Sequence, residues 1–209
     1  AIEFYSMCTD VGIKPIIGME SYIAPDSRLD RQGGPSEASN HLTLLAINEV
    51  GYRNLMKLSS RAFLEGYYYK PRIDTQILAQ HAEGLVGLSG CLKGEVPGAL
   101  LADRPEKAEK ALDAYRQIFG KDNFFIELMD HGLADQKKVF PKLVELAKKF
   151  DAPLVATNDC HYFRKEDNLA HDVLLCIGTG KTVDDPKRLK YNAPEFYYKS
   201  SAEMVQVFG

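Results

Sequence analysis

PEKAEKALDAYRQIFGKDNFFIEL, residues 105–128, reads as a helix, a stop and a strand in one line. Pro105 sits in the first turn, where a missing N–H costs nothing. Ala108, Ala111, Leu112, Tyr115 and Phe119 recur at helical spacing, and Gly120 closes the pattern. Phe124–Leu128 then reads as a short apolar strand, and a second such run, Leu85–Leu88, precedes the helix. A helix of this length between two strands is a crossover, so the two strands are expected to be parallel.

Outward from this unit the alternation continues. Strands are expected at Pro15–Ile17 running on to Glu20–Ile23, at Leu42–Ile47 and at Leu154–Ala156. Helices are expected at Tyr52–Leu64 and Asp135–Phe150, the latter with Val139, Leu143, Leu146, Ala147 and Phe150 inward. Such alternation predicts an α/β fold with a largely parallel sheet or barrel. The loop Pro25–Asn40, rich in Gly, Ser and Asp, reads as the most exposed and mobile stretch. AIEFYSMCTDVG reads as the later part of an amphipathic helix, and SSAEMVQVFG as a helix barely begun, so the chain is expected to be a piece of a longer protein.

Composition narrows the function classes. With 45% apolar and 26% charged residues among 209, the chain is globular rather than disordered and suits one substantial domain, or one domain with the start of another. A net charge of −3 excludes a surface that is basic all over. Neither a signal peptide nor a long apolar span is present, and the four cysteines show no CxxC spacing; both point to a reduced, cytoplasmic setting without a membrane.

In parallel α/β folds, active groups gather beyond the C-terminal ends of strands. Those positions hold Glu20, Cys91 in LSGCLKGE, Asp130 and His131 in IELMDHG, and Asp159 and His161 in ATNDCHY. Mixed carboxylate, thiolate and imidazole donors suit zinc, iron or manganese, and close metals would activate water at a phosphate. Each position also has a plainer reading. Asp159 and His161 could cap a turn, Cys91 could be a small buried hydrophobe, Glu20 could pair with a basic neighbour, and Asp130–His131 could form a turn with Gly132. His41 begins a strand rather than ending one, so strand-end logic sets it aside. Cys160 is expected to point away from its neighbours into packing, and His81 and His171 read as structural or surface residues. EGYYYKPRID, residues 65–74, reads equally as a stacking and phosphate surface for single-stranded DNA or as a loop packed on the sheet. Lys181, Lys187, Arg188 and Lys190 read as a solvated basic face.

Six blocks carry a resemblance: GIKPIIGMESYIAP, NHLTLLAINEVGYRNLMKLSS, GLVGLSGCLKGEVP, NFFIELMDHGL, PLVATNDCHYF and HDVLLCIGTGKTVDD. Together they resemble the polymerase-and-histidinol-phosphatase (PHP) domain, in the form found in bacterial replicative DNA polymerase III alpha subunits that lack an inserted proofreading exonuclease. The resemblance implies a distorted (β/α)7 barrel, incomplete here because the family's opening strands, with their HxH and TDH ligand motifs, precede the segment where this chain starts. It implies PHP metal ligands at Glu20, His41, Cys91, Asp159 and His161, and so restores His41. It implies a PHP domain over residues 1–170, with 171–209 ending it and beginning the connection to a polymerase palm. The implied activity is metal-dependent 3′–5′ exonuclease or phosphoesterase chemistry within a DNA-synthesising parent. The implied alternative is a silent scaffold that stabilises the polymerase and docks a separate exonuclease. Implied cofactors are zinc, manganese or iron in the PHP site and magnesium in the polymerase part. Implied partners are the DNA primer-template and other holoenzyme subunits, such as a proofreading exonuclease and the sliding clamp. A stand-alone histidinol-phosphate-type phosphatase is disfavoured by residues 172–208, which resemble the polymerase's continuation.

Overall fold

A computed structural model describes residues 1–35 and 37–209; Ser36, within the loop 25–40, lies outside the described residues. The elements in chain order are α1 (Ile2–Asp10), β1 (Gly18–Ile23), β2 (Asn40–Ala46), α2 (Glu49–Leu64), β3 (Arg72–Ile73), α3 (Thr75–Gln80), β4 (Leu85–Leu88), α4 (Glu95–Leu101), α5 (Pro105–Phe119), β5 (Phe124–Leu128), α6 (Ala134–Phe150), β6 (Leu154–Ala156), α7 (Asn168–Thr179) and α8 (Ser201–Phe208). They fall into two compact units, one of Ala1–Glu127 with Leu143–Val155, the other of Leu128–Lys142 with Ala156–Gly209. No described helix is long and apolar enough to cross a membrane.

The sheet runs β3-β1-β2-β4-β5-β6. β1 pairs with β3 and β4 with β5 in parallel, whereas β2 is antiparallel to both β1 and β4. The bonds Ile126 N–H to Pro153 O and Thr157 N–H to Leu128 O advance in the same sense along β5 and β6, so these two are parallel as well. Among the described strands β2 alone runs against the rest. The expected largely parallel α/β sheet is therefore present with one reversed strand. It is an open sheet with β3 and β6 at its ends, and the closed barrel implied by the resemblance is not formed by the described residues.

Alternation along β1 and β2 decides which side is core. Ser21, Ile23, Leu42 and Leu44 are buried on one face, over which α2 lays Leu55, Leu58 and Ala62. Leu44 and Leu58 are wholly buried, each contributing about 1.5–3 kcal/mol of transfer free energy. α2 starts at Asn48, whose side chain accepts the Gly51 N–H at 2.9 Å. A Cβ on Gly51 would lie 1.8 Å from Gly84 O, so the close approach of this helix to the β4 side requires glycine. α5 matches the reading of residues 105–119 at both ends, and Tyr115 and Phe119 stack on Phe124 at 5.1 and 5.9 Å, tying helix to strand.

Several expectations need correction. Residues 15–17 are not strand, and β3, α3, α4 and α7 were not anticipated. Leu154 is 43% exposed, because β6 is an end strand rather than a buried one. The 25–40 loop is anchored from below. Arg72, only 2% exposed, donates to the carbonyls of Gly66, Ala38, Arg28 and Asp30. Arg28 in turn pairs with Asp74 at 3.0 Å and Glu65 at 2.7 Å.

Asp74 also caps α3, accepting the Ile77 N–H at 3.0 Å. Burial by itself would raise its pKa, but the N–H groups of Arg28 and Ile77 and the Arg28 guanidinium outweigh burial and hold the carboxyl below its ordinary range. A carboxyl that binds its proton more weakly when folded stabilises the fold above the unfolded pKa of about 3.9 and loses that contribution as pH falls through the folded value. Urea unfolding should therefore show stability dropping below about pH 4, and Asp74→Asn, less stable at pH 6, should show a smaller drop. An identical acid profile in Asp74→Asn would rule this group out as its source.

In the second unit, His131 is buried: its Nε2 donates to Asn158 O at 2.8 Å and its Nδ1 accepts from Gln136 Nε2 at 2.8 Å. Its ring stacks on Phe196 at 3.9 Å, and Lys199 Nζ donates to Asn158 Oδ1 at 3.0 Å. α8 opens on a reciprocal cap between Ser200 and Glu203.

Candidate metal centre

The face of β1 and β2 turned away from α2 carries Glu20, Tyr22, His41 and Thr43. In the ladder Glu20 opposes Thr43 and Tyr22 opposes His41, so Glu20 and His41 are diagonal neighbours on one face. His41 Nδ1 lies 2.6 Å from Glu20 Oε1, and the Tyr22 ring meets the imidazole edge-on at 5.1 Å. The reversal of β2 explains how a residue at the start of a strand joins groups at the ends of others: its first residues lie where the parallel strands finish.

Cys91 arrives on the turn after β4. Glu127 of β5 clasps this turn, its N–H donating to Ser89 Oγ at 2.9 Å and its Oε2 accepting the Gly90 N–H at 3.0 Å. The His41 N–H donates to Lys93 O at 3.0 Å, stitching the turn to β2. Gly94 passes so close that a Cβ there would lie 2.1 Å from Ser89 O. So held, Cys91 Sγ sits 3.6 Å from His41 Nδ1. One ligand atom each from Glu20, His41 and Cys91 lies within 4.8 Å of the others.

The Cys91 sulfur, then the Glu20 carboxylate, raise the His41 imidazole to about 9 against the opposing effect of burial. In the metal-free chain it is an imidazolium at neutral pH, and a bound cation takes that proton's place between the Cys91 sulfur and the Glu20 carboxylate. A cation bonded at about 2.0–2.3 Å to O, N and S would enter this cluster as Glu20 Oε1 and His41 Nδ1 move apart from their 2.6 Å hydrogen bond, while Cys91 Sγ already lies at a suitable 3.6 Å from the imidazole nitrogen. Three protein donors leave coordination positions for water or substrate, as catalytic sites do.

Asp159 and His161 lie in the second unit. β6 ends at Ala156, so they are loop residues and not alternate positions of a strand. What brings them together is a left-handed turn at Asp159, φ 42°, which leaves His161 Nδ1 3.8 Å from Asp159 Oδ1 and 2.7 Å from its carbonyl. His161 Nε2 meets the Tyr191 hydroxyl at 2.9 Å. Cys160 is exposed, its thiol 3.5 Å from Tyr197 O, and does not enter packing as expected. Asp130 accepts the Gly132 N–H, so the MDHG segment is the turn that Gly132 signalled. In EGYYYKPRID the buried Arg72 cannot reach a phosphate, while Tyr67 and Tyr69 are half exposed. Two residues escaped the sequence reading. Glu127 had a signal, a lone carboxylate inside an apolar strand; Tyr191 had none.

Fold and site together define an α/β domain with a Glu–His–Cys cluster that can hold a metal ion at the strand ends of its sheet. The chain belongs to the PHP domain family, whose model matches residues 1–131. It is 54% identical over 209 residues to DNA polymerase III subunit alpha of Treponema pallidum, covering 100% of this chain and 18% of that protein. Against the subunit of Thermus aquaticus it is 52% identical over 206 residues, 98% of this chain and 17% of the relative. Against that of Mycobacterium tuberculosis the identity is 44% over 222 residues, 100% of this chain and 19% of the relative. The chain thus spans less than a fifth of the length of these relatives.

Proposed function

We propose that this chain is the PHP region of a cytoplasmic replicative DNA polymerase III alpha subunit, and that the region hydrolyses phosphodiesters at DNA 3′ ends. The observation that carries the reading is the convergence of Glu20, His41 and Cys91 from three separate segments, with ligand atoms within 4.8 Å. Glu20, His41 and Cys91 form one group of donors, and Asp159 and His161 supply further ligands. Bound zinc, manganese or iron supplies a water of lowered pKa and a positive charge for the leaving 3′ oxygen. The chain's own residues fix that chemistry in place. Glu127 holds the Ser89–Gly90 turn so that Cys91 is presented to His41, and the β1–β2 ladder sets Glu20 beside the same imidazole nitrogen. DNA synthesis belongs to the remainder of the parent, with magnesium, a primer-template and holoenzyme partners such as the sliding clamp. Residues 171–209 lead toward that part. A set of donors that all keep metal-binding chemistry favours hydrolysis over a silent scaffold.

The test uses the intact subunit and a primer with a mismatched 3′ end. Release of 3′ nucleotides should be abolished by chelator, and His41→Ala or Asp159→Ala should slow it by at least about a hundredfold. Hydrolysis indifferent to both chelator and substitution would refute the assignment.

A further inference from the structure

Beside the triad lies a cavity of about 510 Å3 whose wall includes His41 and Tyr22. This is the size of ordinary ligand sites, which run from roughly 300 to 1,000 Å3. Its charged side chains come from separate segments: Lys70 from the loop before β3, Lys93 from the turn after Cys91, and Arg104 and Lys107 from the start of α5. Four cations thus line one concavity against a single carboxylate, Glu95, in a chain whose net charge is −3. Glu95 accepts the Tyr115 hydroxyl at 3.2 Å, so part of its charge is turned inward. Among the described residues none of the four cations is held in an ion pair. Surfaces shaped only by solubility intersperse the two signs, whereas one sign gathered in a concave wall raises the local potential and draws in a counter-charge.

We propose that this cavity is a phosphate subsite that seats the backbone of a single-stranded nucleic acid beside the metal triad. Lysine and arginine grip phosphate oxygens without reading bases, so the subsite is indifferent to sequence. Several cations at one wall suit successive phosphates of a strand better than the single phosphate of a mononucleotide. The proposal deepens the metal-centre reading and rests on it for what happens to the strand; binding itself requires no metal, so the two can fail separately.

The experiment is fluorescence anisotropy of a 5′-labelled oligothymidylate with the 209-residue chain in chelator, across a salt series. Lys93→Gln with Lys107→Gln should weaken binding about tenfold and flatten the log–log salt slope by roughly 1.4, or 0.7 for each phosphate no longer neutralised. The control pair Lys121→Gln with Lys137→Gln, exposed lysines outside the cavity, should change neither. Arg104→Gln alone should remove about half of that slope change. Circular dichroism checks that each variant is folded, which these exposed positions favour. Equal weakening by both lysine pairs, or weakening by neither, overturns the subsite. Displacement of the strand by equimolar thymidine monophosphate or inorganic phosphate would make the occupant a single phosphate and overturn the strand assignment. Strand binding that depends on the cavity cations in a chain that takes up no metal would leave the subsite standing and refute the metal reading alone.

Discussion

Arg72→Ala should lower the unfolding free energy by about 4 kcal/mol, near the top of what a single substitution costs. Arg72 is 2% exposed and, among the described residues, makes no ion pair; its guanidinium donates to the carbonyls of Gly66, Ala38, Arg28 and Asp30 and lies over the Tyr68 ring at 5.1 Å. Burial pulls its pKa below the ordinary arginine value, and nearby Arg31 pulls the same way. Truncation leaves a cavity and strands these buried acceptors, each worth about 1–3 kcal/mol when unsatisfied. Arg72→Lys should recover less than half, because one ammonium cannot reach acceptors spread around a planar fork. Because Ala38 lies three residues before His41, a loosened loop also frees the entry into β2. The chain has no tryptophan, so unfolding is followed by circular dichroism in urea. A cost below about 1 kcal/mol would mean that water replaces the guanidinium without penalty.

The second large effect is on metal. His41→Ala combined with Cys91→Ser removes two of the three donors that lie within 4.8 Å, and metal affinity of the 209-residue chain should fall by more than about a hundredfold. Elemental analysis after loading and desalting should find bound metal in the parent chain and almost none in the variant. Singly, Glu20→Gln should be milder than Cys91→Ser, the thiolate being the stronger ligand for zinc.

What could be read in advance follows from how local each signal is. α5 was legible to the residue because its start and stop are chemical, Pro105 and Gly120, and its stripe is complete. β2 was legible as a strand, but its direction was not: an apolar alternation looks the same from either end, and no hairpin turn links it to β1. That blind spot is why strand-end logic discards His41, which only the family resemblance restores. β3 is two residues long, too short for any period, and so Arg72 reads as a loop cation when it is a buried brace. α7 escapes because it buries only Cys176 and leaves Leu169, Val173, Leu174 and Ile177 exposed, so no inward stripe stands out. Asp159 and His161 pair for a reason the sequence does not show: a left-handed turn, not strand alternation, brings them together.

Cobalt(II) substitution tests the central claim most directly, because a thiolate bound to cobalt gives a near-ultraviolet charge-transfer band that oxygen and nitrogen ligands do not. The 209-residue chain should show that band on titration, and Cys91→Ser should lose it while Cys8→Ser, Cys160→Ser and Cys176→Ser keep it. No band in the parent chain, or a band that survives Cys91→Ser, would contradict a metal centre built on Glu20, His41 and Cys91.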